Sequence, residues 1–68
     1  MSITLKAARV NANFTQIEAA KKLGISVDTL RMYEAGKTFP DVPTIQKIEG
    51  LYNVTYDNIN FLLPQNNG

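Results

Sequence analysis

The sequence predicts an all-α fold: one compact domain of five short helices. Three observations carry this. Apolar residues recur at helical spacing in five successive segments. Each segment opens near a Ser, Thr or Asp that can cap a helix, and the first four close near a Gly or Asn that can end one. The chain has 68 residues, 44% of them hydrophobic, which suits a single small core rather than a disordered segment or two domains. The domain is expected to span residues 1–64, with 65–68 as a short flexible tail.

The first helix is expected over residues 3–12. Ile3, Ala7 and Val10 form one stripe with Leu5 and Ala8 beside it, and Ser2 or Thr4 serves as cap. Asn13 follows, a residue that tolerates the left-handed conformation found after many helices, and Phe14 then folds back as core. Thr15-Gln16-Ile17-Glu18 reads as a capping box opening a second helix, Gln16 to about Leu23, with Ile17, Ala20 and Leu23 at helical spacing. Gly24 breaks that helix and supplies positive φ. Ser26 caps a third helix from Val27 to Ala35, with Leu30 and Tyr33 inward, Thr29 at the margin of that face, and Gly36 closing it.

Residues 37–42 form a loop, where Pro40 disfavours helix at Phe39. Asp41 caps a fourth helix over about 42–52, with Pro43 in the first turn and Ile45, Ile48 and Leu51 or Tyr52 inward. Gly50 lies inside this helix at a cost of about 1 kcal/mol relative to Ala, which close packing or a weak last turn would explain. Asn53 again takes the position after a helix, and Thr55 caps a fifth helix, Tyr56–Leu62, with Ile59 and Leu62 or Leu63 inward. The run at 53–56 is too short to build a sheet.

Composition removes several functional classes. There are no cysteines and no histidines, so thiolate metal sites, disulfides and the commonest general base are all absent. With no paired carboxylates placed for a pocket either, an enzyme is the weakest reading, and neither a cofactor nor a small-molecule ligand is expected. No apolar run approaches the ~20 residues of a membrane span, and no signal segment opens the chain, so a cytoplasmic protein is expected. Net charge is only +1, but it is unevenly spread. Residues 1–37 carry six basic side chains (Lys6, Arg9, Lys21, Lys22, Arg31, Lys37) against three acids, whereas residues 38–68 carry Lys47 against three. One end of the domain suits phosphate and the other suits a partner.

The most informative stretch is Gln16–Ala35. Counted from Gln16, apolar residues stand at the fourth, eighth, tenth, fifteenth and eighteenth places (Ala19, Leu23, Ile25, Leu30, Tyr33), a small residue at the fifth (Ala20) and a turn residue at the ninth (Gly24). Two helices at roughly 90–120°, joined by a turn of three to four residues, touch only through small side chains at their crossing. These positions, with FTQIEAAKKLGIS, TLRMYEAGKTFP and TIQKIEGLYNVTYDNI around them, resemble the helix-turn-helix domain of phage Cro and CI repressors and of the bacterial XRE family. The likeness covers residues 3–63. It implies a compact, five-helix lambda-repressor-like domain. Asn13 and Asn53 stand where that family usually has Gly, and both meet the same backbone demand.

The resemblance implies roles. Gln16 would reach a phosphate with its side chain and the first-turn amides, or serve only as a soluble first-turn residue. Ser26 would cap and touch the backbone. Val27, Asp28, Thr29, Arg31 and Met32 would form the face toward base edges. Asp28 fits a cytosine amino group and equally a helix first turn. Arg31 fits a phosphate or a guanine, and Met32 fits a thymine methyl or plain exposure. Lys37 and Thr38 would hold the backbone across the groove, while Lys21 and Lys22 form a solvated face. Arg9 is expected to pair with Glu34, tying the first helix to the third.

The implied function is a sequence-specific transcriptional regulator, a repressor acting as a homodimer on a near-palindromic double-stranded operator. If these 68 residues are the whole protein, a Cro-like or stand-alone regulator is expected rather than a two-domain CI repressor. Phe61, Leu62, Leu63 and Pro64 are the expected dimer contacts, being more apolar than a solvated terminus requires. The competing reading is a protein-interaction module of the same fold, an antitoxin or antirepressor-type partner. The low net charge and the lack of donors at Val27 and Met32 favour it.

Overall fold

Four α-helices form where cap and stop residues coincide. The computed structural model describes residues 2–61. In chain order these are a short strand β1 (Ile3–Thr4), α1 (Leu5–Asn11), α2 (Gln16–Leu23), α3 (Val27–Glu34), α4 (Val42–Tyr52), a 3₁₀ turn (Tyr56–Asn58) and β2 (Ile59–Asn60). Each α-helix begins with a side-chain cap on the amide three residues on. Thr4 accepts from Ala7 at 3.0 Å, Thr15 from Glu18 at 3.1 Å, Ser26 from Thr29 at 3.1 Å and Asp41 from Thr44 at 3.0 Å. The capping box of α2 is complete, with Glu18 Oε1 accepting from the Thr15 N–H at 2.9 Å.

The four helices also end alike. Asn13, Gly24, Gly36 and Asn53 have positive φ (66°, 76°, 75° and 56°). After each, the next residue's N–H returns to the carbonyl five positions back: Phe14 to Arg9, Ile25 to Ala20, Lys37 to Met32 and Val54 to Glu49, at 3.0–3.2 Å. These are Schellman closures, which satisfy carbonyls that a helix end leaves bare. Asn at two of the four positions accepts the left-handed conformation as Gly does.

The fold corrects the expectation of five helices. Among the described residues there are four α-helices, and the segment after Asn53 is a three-residue 3₁₀ turn followed by a strand. Thr55 makes no side-chain capping bond there, and the Tyr56 N–H instead donates to Glu49 Oε2 at 2.7 Å. Asn58 and Asn60 flank Ile59, and neither favours helix. Ile59 is buried as expected, but it reaches the core from a strand. β2 lies parallel to β1, with Ile3 opposite Ile59 and Thr4 opposite Asn60. The start of the chain is thus two residues of strand, and α1 begins at Leu5 rather than Ile3.

One core joins all the helices: Leu5, Ala8, Ala19, Ala20, Leu23, Leu30, Ile48, Tyr52 and Ile59. Phe14 packs against it, its ring 6.3 Å from that of Tyr52. Two expected core residues are outside. Val10 is 53% exposed because α1 turns Leu5, Ala8 and Arg9 inward instead, and Ile17 is 71% exposed on the outer side of α2. Gly50 is exposed, with open space around it, so close packing is not its reason. Among the described residues no helix is long and apolar enough to cross a membrane. Leu62, Leu63, Pro64 and the tail 65–68 lie outside the described residues.

Candidate nucleic-acid interface

The site is built on the α2–turn–α3 unit. Ala19 and Ala20 are almost fully buried, so the two backbones approach closely at their crossing. Gly24 takes the left-handed conformation (φ 76°, ψ 29°) that redirects the chain into α3. Leu30 is fully buried and anchors α3 from beneath. The opposite side of α3 is left free. Asp28, Arg31 and Met32 are exposed, Val27 and Thr29 half-exposed.

The polar groups on that face are joined in two couples, each three residues apart. Ser26 Oγ donates to Thr29 Oγ1 at 2.9 Å while accepting the Thr29 amide. Arg31 Nη1 donates to Asp28 Oδ1 at 2.9 Å. Val27 and Met32 supply apolar surface beside them. Lys37 and Thr38 are exposed, and their amides return to the Met32 carbonyl, which holds the loop against the end of α3.

Beneath the α3 N-terminus, a hollow of about 440 Å³ is lined by Lys6, Arg9, Thr15, Gln16, Ile17, Val27 and Arg31. Three of these are cationic, and none is acidic. Gln16 and Ile17, in the first turn of α2, stand at its wall, and their amides have no preceding carbonyl within the helix to bond. Arg9 is paired with Glu34 and Arg31 with Asp28, so the positive helix end and the Lys6 ammonium are what suit the hollow to an anion. Lys6 was not among the sequence candidates. Its place three residues before Arg9 sets both side chains on one side of α1, but only the packing of α1 against α2 and α3 brings it to the hollow.

Behind the hollow lies a buried polar cluster. Arg9 Nε donates to Glu34 Oε2 at 2.8 Å, Nη2 to Glu34 Oε1 at 3.3 Å and Nη1 to the Phe14 carbonyl at 2.9 Å. The expected pairing of Arg9 with Glu34 is therefore present, with both side chains under 10% exposed. Gln16 Nε2 joins it, donating to Glu34 Oε1 at 3.0 Å. The Gln16 side chain is thus engaged with the end of α3. The Tyr52 hydroxyl is buried without a hydrogen-bond partner among the described residues. Burial, and then the nearby Glu34 charge, push its pKa up to about 12, with Arg9 acting in the opposite sense.

A second cleft, of about 370 Å³, lies away from this face. It is lined by Phe39, Val42, Ile45, Gln46, Glu49 and Tyr56. Phe61 is half-buried beside it, its ring 4.9 Å from Phe39 and 5.6 Å from Tyr56. Sequence reasoning singled out Phe61 but not Phe39, Val42 or Tyr56, which the fold gathers from separate segments.

A capped two-helix unit with a free outer helix face and a cationic hollow at its base defines a helix-turn-helix domain. The family model described as Helix-turn-helix matches residues 5–59. The chain belongs to this family, of the XRE type, a class of DNA-binding transcriptional regulators. It is 47% identical over 53 residues to the HTH-type transcriptional regulator ImmR of Bacillus subtilis (strain 168), covering 78% of this chain and 42% of that protein. The chain therefore spans less than half the length of that relative. No solved structure matches it.

Proposed function

We propose that the chain binds operator DNA in a sequence-specific manner as a Cro-like repressor, a homodimer on a near-palindromic site. The observation that carries this is the adjacency of the open α3 face to the hollow where Lys6 and the first turn of α2 stand. A helix laid in the major groove puts its outer face on base edges and brings the neighbouring helix end to the phosphates. Val27, Asp28, Thr29, Arg31 and Met32 are then the reading residues. Ser26, Lys37, Thr38, Lys6 and the amides of Gln16 and Ile17 grip the backbone. Repression follows from occupying DNA that polymerase needs.

The homodimer reading rests on the aromatic surface around Phe39, Tyr56 and Phe61, continuous in sequence with Leu62, Leu63 and Pro64. Exposed aromatic and aliphatic side chains around a cleft are what a partner surface covers. The same surface also favours the second reading, a protein-interaction module in which DNA binding is secondary.

Selection of bound duplexes from a random pool tests the proposal. Enrichment of a near-palindrome, with half-sites about one helical turn apart, is the expected result. No enrichment from any pool at low salt would leave only the interaction module.

A further inference from the structure

We infer that Asp28 is a specificity-determining residue that acts by orienting Arg31, so that the two read one guanine as a unit. The inference rests on the DNA-binding reading above and specifies how its reading face works. Arg31 Nη1 meets Asp28 Oδ1 at 2.9 Å, with the two side chains 58% and 86% exposed. An ion pair this exposed contributes little to stability. Neither residue is needed by the core, which α3 reaches through Leu30. What the pair does is set the guanidinium beside Asp28 on the outer face of the helix, with Nη1 engaged. Free arginine side chains lose rotamer freedom on binding, and one already held loses less.

The geometry also selects which edge of Arg31 is available. With Nη1 engaged by Asp28, the Nε–H and Nη2–H edge remains open, and its two parallel donors match the O6 and N7 acceptors of guanine. Asp28 retains Oδ2 as a free acceptor on the same face. It favours an amino-bearing neighbour, cytosine foremost, and repels the acceptor edge of a thymine or guanine placed there. Asp28 is therefore a positioning residue for Arg31 and a discriminator at the adjoining pair. Arg31 is the sole cation of α3 and Asp28 the sole acid on its outer face, so no second couple competes for the role.

The test is duplex selection and competition binding with the wild type, Asp28→Ala, Arg31→Ala and the double variant, each checked for an unchanged melting curve. The wild type is expected to enrich guanine at one symmetry-related position in each half-site. Arg31→Ala should lose that preference by about tenfold or more. Asp28→Ala should lose most of it at the same position while still binding duplex, and the double variant should match Arg31→Ala. The inference is overturned if Asp28→Ala keeps the full guanine preference. It is equally overturned if Arg31→Ala weakens all sequences alike and lowers the salt slope by about one, the mark of a phosphate contact. A wild type that enriches no site overturns the underlying DNA-binding reading and this inference with it, a result distinct from the other two.

Discussion

Arg9 and Glu34, twenty-five positions apart, meet in a buried ion pair with Nε 2.8 Å from Oε2, and the same carboxylate also receives Gln16. The first, second and third helices thus converge on one side chain at the end of α3. Removing one partner leaves an uncompensated buried charge, which costs about 3–5 kcal/mol. A domain of this size holds only about 3–10 kcal/mol in total. Arg9→Ala should therefore lower the urea midpoint sharply and bring the protein close to unfolding at room temperature. Arg9→Met with Glu34→Leu should recover much of the loss. An unchanged midpoint for Arg9→Ala, with weaker DNA binding, would make Arg9 a phosphate ligand and not a structural tie.

Tyr52 gives the fold a stability change in alkali. Its hydroxyl titrates at about 12, against 10.0 for a free tyrosine. The raised value means that the folded state keeps its proton when the unfolded state has lost it. The associated stability is complete below pH 10 and is lost as pH rises from 10 to 12. Tyr52→Phe should abolish this part of the alkaline decline. At neutral pH it should be neutral or mildly stabilising, because the removed hydroxyl has no partner among the described residues. Denaturation curves at pH 8 and pH 11 for both proteins check this, and equal alkaline losses would contradict it.

Gly50 is an opportunity left open in α4. It is exposed, in a helix running from Val42 to Tyr52, and a Cβ there meets nothing within 4 Å. Gly50→Ala should add about 0.5–1 kcal/mol and raise the melting temperature by several degrees. A lower melting temperature would mean that the helix needs the glycine's freedom near its last turn.

What was readable in the sequence follows from the range of the interactions involved. The caps at Thr15, Ser26 and Asp41 act on an amide three residues away, and Asn13, Gly24 and Asn53 close helices onto carbonyls within one turn or so behind, so short motifs disclose them. The pairing of Ile3 with Ile59 joins the two ends of the described chain, and no local period announces it. That is why Tyr56–Leu62 read as a helix. Arg9 misled the reading of α1 because a paired arginine fills an inward place that an apolar stripe assigns to Val10. In the candidate site, the outward residues of α3 were legible from helix geometry. The bond from Gln16 to Glu34 and the contribution of Lys6 to the hollow were not, since both depend on how separate helices pack.

The central claim is that this fold grips a DNA backbone. The most direct measurement is the affinity of the purified chain for its selected duplex as salt rises from roughly 50 to 200 mM, where counterion release dominates. The account predicts a straight line of log affinity against log salt, falling by about 0.9 for each phosphate neutralised, and a shallower line, by about one phosphate, for Lys37→Ala. A flat line, or no duplex binding at the lowest salt, would contradict it.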